Sequence, residues 1–456
     1  MDTKVIFSAL GTTLKYTSPV FLVPIIVSLL YGEYSAISYF FLSFLVILLS
    51  GVLLERTFRT KKGAKFKEGM VIVALIWLVV TLISTIPFVM QAGMPFIDAL
   101  FESMSAWTTT GFSLLNLETT SYSILFWRSF LQWVGGIGIV VLALSGLFRT
   151  GNTLYMVEGH ERIRPNVVNA VKTIWWIYIF YTILGVILLF LVGMPLFDSI
   201  NHTMTAISTG GMGMYSESIG FYNSAAIEGI MIFIMIMGAI SFFSHYQLLA
   251  GKRKKFFKDT QTIALILIII AVTFLLLPFN FLRESLFHVV SAITCSGFQI
   301  QNLIGWSDYS KSLLIILMMF GGAAGSTVGA LKLNRVIIFF KTMYDNVRKL
   351  LRPRLVFPRK IGSITYTEKE FQSVFKFIGI YVFFLVLGSL ILMSQGHSAI
   401  NSLFQVASAQ GNVGLSVVTE LSIISKITLI FNMWIGRLEI WAILVFIIYI
   451  FRRHSL

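Results

Sequence analysis

Apolar runs of roughly 18–25 residues recur along almost the whole chain, each ended by a short polar or basic stretch. Runs of that length match a hydrocarbon layer about 30 Å thick when coiled at 1.5 Å per residue. The pattern predicts ten spanning segments. Two come first, about 17–31 and 37–54, joined by the short "YGEYS". Eight follow in four pairs: about 70–90 with 124–148, 173–193 with 225–250, 262–279 with 312–340, and 375–393 with 424–451. Between the members of each pair lies a segment too short for a domain and too apolar for a simple loop. Each such segment holds a polar run centred on glycine: "TTTGF" at 108–112, "STGGM" at 208–212, "TCSGF" at 294–298 and "GNVGL" at 411–415.

Superposing the four on Gly111, Gly211, Gly297 and Gly414 tests for a repeat. Five positions earlier stands alanine in all four: Ala106, Ala206, Ala292 and Ala409. One position before that is always a small hydroxyl: Ser105, Thr205, Ser291 and Ser408. Thirteen before the glycine come Asp98, Asp198, Glu284 and Asn401, suited to the first turn or cap of a helix. A large apolar residue follows each glycine: Phe112, Met212, Phe298 and Leu415. The repeating unit is helix, short half-length helix, extended glycine turn, helix. The predicted fold is an all-α polytopic membrane protein, a two-helix hairpin followed by four pseudo-fourfold repeats around a central path. Its divisions are 1–66 (hairpin), 67–150, 151–255, 256–350 and 351–456 (repeats one to four).

Composition agrees with that reading. Of 456 residues 57% are hydrophobic and 12% charged, about half the charge of a soluble domain. The net charge of +15 would suggest nucleic acid in a soluble protein, but its distribution excludes this. Basic residues cluster at 55–67, 251–259, 341–360 and at Arg452 and Arg453, whereas 194–224 and 395–423 contain no Lys or Arg. That alternation is the positive-inside signature, so the basic stretches and both termini are expected in the cytoplasm. The N-terminus reads as a retained helix, not a signal peptide. Cys295 is the single cysteine, which excludes an intrachain disulfide framework and a cysteine-rich metal site. No phosphate-loop motif occurs, and "GGIG" at 135–138 lies inside a span with no preceding strand, so the chain is not read as an enzyme and no bound cofactor is expected.

Irregular backbone at membrane depth must be buried or line a wet path, since unpaired amides in hydrocarbon cost several kcal/mol each. Four such segments from four equivalent units would meet on one axis. The short helices, about 97–108 and equivalents, must enter and return from one side, which the basic residues make the outside. Their C-terminal ends then point inward with partial negative charge, which suits a cation. Glycine lets backbone carbonyls turn toward such an axis, and rings of carbonyls replace an ion's hydration shell in potassium-selective filters.

With "FWRSFLQWVGGIGIVVL" at 126–142, "GGAAGSTVGALKLNR" at 321–335 and "IGRLEIWAILV" at 435–445, the chain resembles the Trk/Ktr/HKT superfamily of potassium transporters over essentially its whole length, most closely the Trk-type pore subunit. In that family four filter glycines go with potassium preference, and a serine in the first goes with sodium transport in some plant relatives. The resemblance implies a potassium-binding filter at Thr109, Thr110, Gly111, Thr209, Gly210, Gly211, Cys295, Ser296, Gly297, Asn412, Val413 and Gly414, with potassium the sole metal. It implies a gate in the intramembrane loop of Gly321, Gly322, Ala323, Ala324, Gly325, Ser326 and Thr327. Lys332 either belongs to that gate or snorkels to the cytoplasmic edge. Arg437 resembles the family's arginine projecting toward the ion path; the alternative is half of a buried structural pair, although Glu439, two residues on, would not face it on a helix. Arg128 reads as structural. His202, His288, Glu102 and Gln405 share one offset and read as a polar flank of the short helices.

The resemblance further implies potassium uptake across a bacterial or archaeal cytoplasmic membrane, a homodimer, and a cytosolic nucleotide-binding regulatory ring of the TrkA type, for which the loops 149–172 and 341–372 are candidate docking sites. The alternative function is a secondary transporter coupling potassium to sodium or protons. Coupling would call for an intramembrane acid or a second ion site, and the acids here are expected at loop edges, which favours the pore.

Overall fold

A computed structural model describes residues 1–138, 167–352, 360–361, 364–365 and 368–453. It is a polytopic helical membrane protein; a minimal antiparallel hairpin pairs Lys360–Ile361 with Ile364–Thr365. The first span begins at Thr3, well before the expected 17. It runs to Leu30 over 28 residues, interrupted by a 3-10 turn at Ser18–Leu22 between Thr3–Thr17 and Val23–Leu30, next to Pro19 and Pro24. Two lysines and four threonines lower the hydropathy of its first segment. Yet the hydroxyls of Thr12, Thr13 and Thr17 all donate to carbonyls one turn back, at 2.8, 2.9 and 2.6 Å, so they are satisfied within the helix. This helix crosses Tyr34–Thr57 at facing glycines: a Cβ on Gly11 would strike Gly51, and the reverse. Lys15 and Glu55 pair beside the crossing at 2.6 Å.

The hairpin is tied to the first repeat by Glu33, whose carboxylate accepts from the amides of Tyr122 and Ser123 at 2.7 and 2.9 Å, capping the helix Tyr122–Ile137. Each repeat then carries a short helix of 12 residues: Phe96–Trp107, Leu196–Ile207, Leu282–Ile293 and Ala399–Gln410. At about 18 Å each is too short to cross. Asp98, Asp198, Glu284 and Asn401 all occupy the third position, where the three carboxylates meet the positive end of the helix dipole. Neighbouring repeats are bridged at this level. Lys426 reaches Asp98 at 2.5 Å, Lys311 reaches Asn401 at 3.3 Å and Arg283 reaches Glu228 at 2.6 Å.

The second helix is broken in the second, third and fourth repeats, where sequence predicted an interruption only in the third. The first ends at Ile137 with Gly138 at φ 98. The second stops at Ala239 and restarts at Phe242 after a 103° bend. The third stops at Phe320 and resumes at Leu333. The fourth stops at Arg437 and restarts at Trp441, bent by 115°, with Glu439 and Ile440 both at positive φ. Among the described residues five helices are long and apolar enough to cross, the first of them through its 3-10 turn, or seven counting each bent pair as one span. The rest of the expected ten comprises Thr260–Leu276 at 17 residues, the broken third-repeat helix, and the 124–148 span, which leaves the described residues after 138. Most of the docking loop expected at 149–172 and the middle of 341–372 also lie outside them.

Candidate functional site

The four glycine runs adopt one backbone geometry. The residue two before each glycine is left-handed although it has a side chain: Thr109, Thr209, Cys295 and Asn412 have φ of 55, 53, 53 and 53°. Such residues cost about 1–3 kcal/mol each and persist only where surroundings dictate them. Here the dictating contacts are the repeat's own signature. The left-handed amide donates to the invariant alanine's carbonyl (Ala106, Ala206, Ala292, Ala409) at 3.1, 3.1, 3.2 and 3.1 Å. The next amide donates to the carbonyl of the small hydroxyl residue before it, at 2.8, 2.7, 2.9 and 2.8 Å. The glycines follow with φ of 98, 75, 71 and 92°.

Positive φ is one reason for glycine, and close approach is the other. A Cβ on Gly111 would collide with the carbonyl of Gly210, one on Gly211 with that of Ser296, one on Gly297 with that of Val413, and one on Gly414 with that of Thr110. The contacts therefore close a ring in chain order, first repeat to second to third to fourth and back. Thr110, Gly210, Ser296 and Val413 each present a carbonyl to the neighbouring repeat's glycine, and all four are buried, as is Gly211, while Gly111, Gly297 and Gly414 are partly open.

The hydroxyls that recur just before each invariant alanine brace the ring from behind in three of the repeats. Ser105 Oγ donates to Phe112 O at 2.7 Å and accepts from Gly111 N at 3.1 Å. Ser291 Oγ donates to Phe298 O at 2.6 Å, and Ser408 Oγ accepts from Gly414 N at 3.0 Å. The strand leaving the ring is held by the flank position in two repeats. Glu102 accepts from Ser113 Oγ and Leu114 N at 3.0 and 2.9 Å, and Gln405 accepts from Ser416 Oγ and Val417 N at 3.1 and 3.4 Å. His202 and His288 occupy the same offset within an aromatic setting of Tyr222, Phe298 and Trp306.

On the side where the short helices begin, the ring opens into a cavity of about 250 Å³ lined by Gly111, Gly211, Gly297, Gly414, Arg128 and Gln405 among others. Arg128 is buried and pairs with Glu102 at 2.7 Å. On the opposite side lies the loop between Phe320 and Leu333. It threads between repeats: Ala323 N donates to Ala239 O at 2.9 Å, and Phe242 N to Gly325 O at 2.9 Å. Thr327 Oγ1 donates to Gly238 O at 3.0 Å and sits 3.2 Å from the hydroxyl of Thr209. A Cβ on Gly329 would strike Asn412 and Gly411. Gly321–Thr327 thus lies directly against the ring's underside.

Arg437 joins these parts. Its guanidinium donates to the carbonyls of Thr327, Gly135 and Gly136 at 2.7, 2.5 and 3.0 Å, and to Thr109 Oγ1 at 3.3 Å. Glu439 is turned elsewhere by the helix break, pairing with Lys332 at 2.7 Å and Arg335 at 2.6 Å. Lys332 is held in this network rather than snorkelling. The expectation that acids sit at loop edges is corrected for Glu102 and Glu228, both buried, and for the largely enclosed Glu439; each is ion-paired.

All twelve residues expected in the filter therefore meet in one ring, with the loop that holds the seven residues expected to gate lying against it and Arg437 bridging the two. Sequence reasoning missed Glu102 with Arg128, Glu439 with Lys332 and Arg335, and Gln132, whose buried carboxamide brackets the second glycine run. The burial of Glu102 was signalled by its offset within a short helix.

The chain is matched by the family of TrkH cation transport proteins over residues 37–283 and 280–453. It is 37% identical to an uncharacterized cation transporter of Methanocaldococcus jannaschii, over 97% of this chain and 95% of that one. It is 31% identical to the Trk system potassium uptake protein TrkH of Salmonella typhimurium, over 98% of both. The crystal structure of the potassium transporter TrkH from Vibrio parahaemolyticus superposes with a TM-score of 0.87 at 30% identity, covering 98% of each chain.

Proposed function

The chain belongs to the TrkH family of cation transport proteins, and from that premise we propose that it takes up potassium through a gated, channel-like pore. The ring of Thr110, Gly210, Ser296 and Val413 carbonyls is the selectivity filter, with the neighbouring filter residues holding it. The observation that carries this reading is the closure of the ring in chain order, each glycine admitting the next repeat's carbonyl. Such a ring substitutes for water around a dehydrated cation, and the dipoles of four short helices add partial negative charge at their C-terminal ends. The cavity above gathers hydrated ions, and the Gly321–Thr327 loop is the gate, shut in this arrangement by its bonds to Ala239, Gly238 and Arg437. The basic loops face the cytoplasm, where a nucleotide-binding ring regulates a homodimeric assembly.

Membrane potential supplies the drive, about 2.3 kcal/mol per charge at 100 mV. A coupled transporter is the competing reading, and the engagement of Glu102, Glu228 and Glu439 in ion pairs speaks against a free proton-carrying acid. Radioactive rubidium uptake into proteoliposomes, driven by an imposed inside-negative potential, tests this. Uptake should proceed with no sodium or pH gradient and exceed that of sodium. Uptake that requires either gradient would overturn the pore in favour of coupling.

A further inference from the structure

The second filter run is built differently from the other three. Its hydroxyl, Thr205 Oγ1, turns away and donates to Asn201 O and His202 O at 3.1 and 3.2 Å. Position 210 is glycine where the other repeats have Thr110, Ser296 and Val413. Gly210 is not a glycine of necessity in its backbone, for it is absent from the positive-φ positions that include Gly211. What excludes a side chain is space: a Cβ there would collide with the carboxamide of Gln132. Gln132 comes from the first repeat's second helix and is fully buried. Its Nε2 donates to Gly210 O at 2.7 Å, and its Oε1 accepts from Met212 N at 3.1 Å. One side chain from a neighbouring repeat thereby grips the filter strand on both sides of Gly211.

We infer that Gln132 is the positioning residue of the second filter strand and sets cation selectivity through the Gly210 carbonyl, bracing from a neighbouring repeat, and at different atoms, a strand that Ser105, Ser291 and Ser408 brace from within their own repeats. The inference rests on the filter reading above. A carboxamide donor fixes where the carbonyl sits and draws off part of its lone-pair density. The fourfold ring is therefore asymmetric in field strength, with one carbonyl shared between the ion and a protein donor. Ion size discrimination depends on the number and field of the coordinating carbonyls, so loss of this clamp should act on selectivity more than on flux.

The test uses the full chain in proteoliposomes, with flux normalised to assembled protein and the rubidium-to-sodium uptake ratio as readout. Gln132→Ala should lower that ratio about tenfold, the equivalent of one buried hydrogen bond made only to a correctly placed carbonyl. Adding Gly210→Ser to Gln132→Ala refills the vacated space with the residue type found at 296 and should restore most of the ratio. Gly210→Ser alone, with Gln132 present, should disturb the ratio. If Gln132→Ala does not assemble, Gln132→Asn, which is too short to make both bonds, should show the same loss. A ratio within twofold of the parent in whichever of these two variants assembles overturns the inference. Gly211→Ser separates the two failures: if it changes the ratio while the Gln132 variants do not, the filter stands and the clamp falls; if none changes it, the filter reading itself fails.

Discussion

Replacing Arg437 with Gln removes the side chain that ties the loop beneath the ring to two other repeats. Its hydrogen bond to the Thr327 carbonyl at 2.7 Å holds the loop, while those to Gly135, Gly136 and Thr109 reach the first repeat. Hydrogen bonds from a charged donor contribute about 1.5–3 kcal/mol each. Losing this one should shift the closed-to-open balance of the loop by roughly ten- to a hundredfold, at about 1.4 kcal/mol per factor of ten. The charge adds a second effect with the same sign. At ~6 Å and an effective dielectric of ~20, a unit charge repels a passing cation by about 3 kcal/mol. Both changes raise rubidium flux in the partner-free protein, while the rubidium-to-sodium ratio stays near the parent value. The two causes are separable. Arg437→Lys keeps the charge but cannot span acceptors on Thr327, Gly135, Gly136 and Thr109, so it should raise flux only through the lost latch. The carbonyls of Gly135 and Gly136 lose their donor as well, so yield should fall and flux must be divided by assembled protein. Unchanged flux per assembled molecule in Arg437→Gln would refute both the latch and the barrier and leave the arginine a structural strut.

Further outcomes follow from the same geometry. Gly111→Ser places a side chain at φ 98 against the Gly210 carbonyl, a strain of about 1–3 kcal/mol, and should admit more sodium and lithium relative to potassium; an unchanged permeability ratio would remove Gly111 from the filter. Deleting Gly321–Gly325 should raise flux and weaken its dependence on any cytosolic partner, and a folded deletion that conducts no better would sink the gate assignment. Arg128→Met strands the buried Glu102 carboxylate at a cost of about 3–5 kcal/mol, visible as a lower thermal midpoint in detergent. Glu102→Gln on that background should recover much of it, because Gln405 fills the same role without an arginine.

The repeats were legible because their signature is local. Alanine and hydroxyl at fixed offsets from glycine encode hydrogen bonds spanning three to five residues, and such bonds do not depend on the rest of the fold. The short helices began and ended within about a residue of expectation for the same reason. The breaks at 239–242 and 437–441 were not legible, since both sides of each bend are apolar and hydropathy does not register φ. That blindness carried over to Glu439. The rule that residues two apart do not face each other correctly separated it from Arg437, but only the break explains how it reaches Lys332, 107 residues away in sequence. Gln132 was hidden in a similar way. It reads as one polar residue in an apolar run, and its meaning lies 78 residues further on, at Gly210.

The central claim is that a cation sits among four backbone carbonyls from four repeats. Structures of the protein prepared in rubidium and in sodium, with rubidium located by its anomalous scattering, test that most directly. The account predicts a rubidium peak on the axis, equidistant from the carbonyl oxygens of Thr110, Gly210, Ser296 and Val413, and weaker occupancy there in sodium. A ring that stays empty in rubidium, or a peak seated on side chains elsewhere, would contradict it.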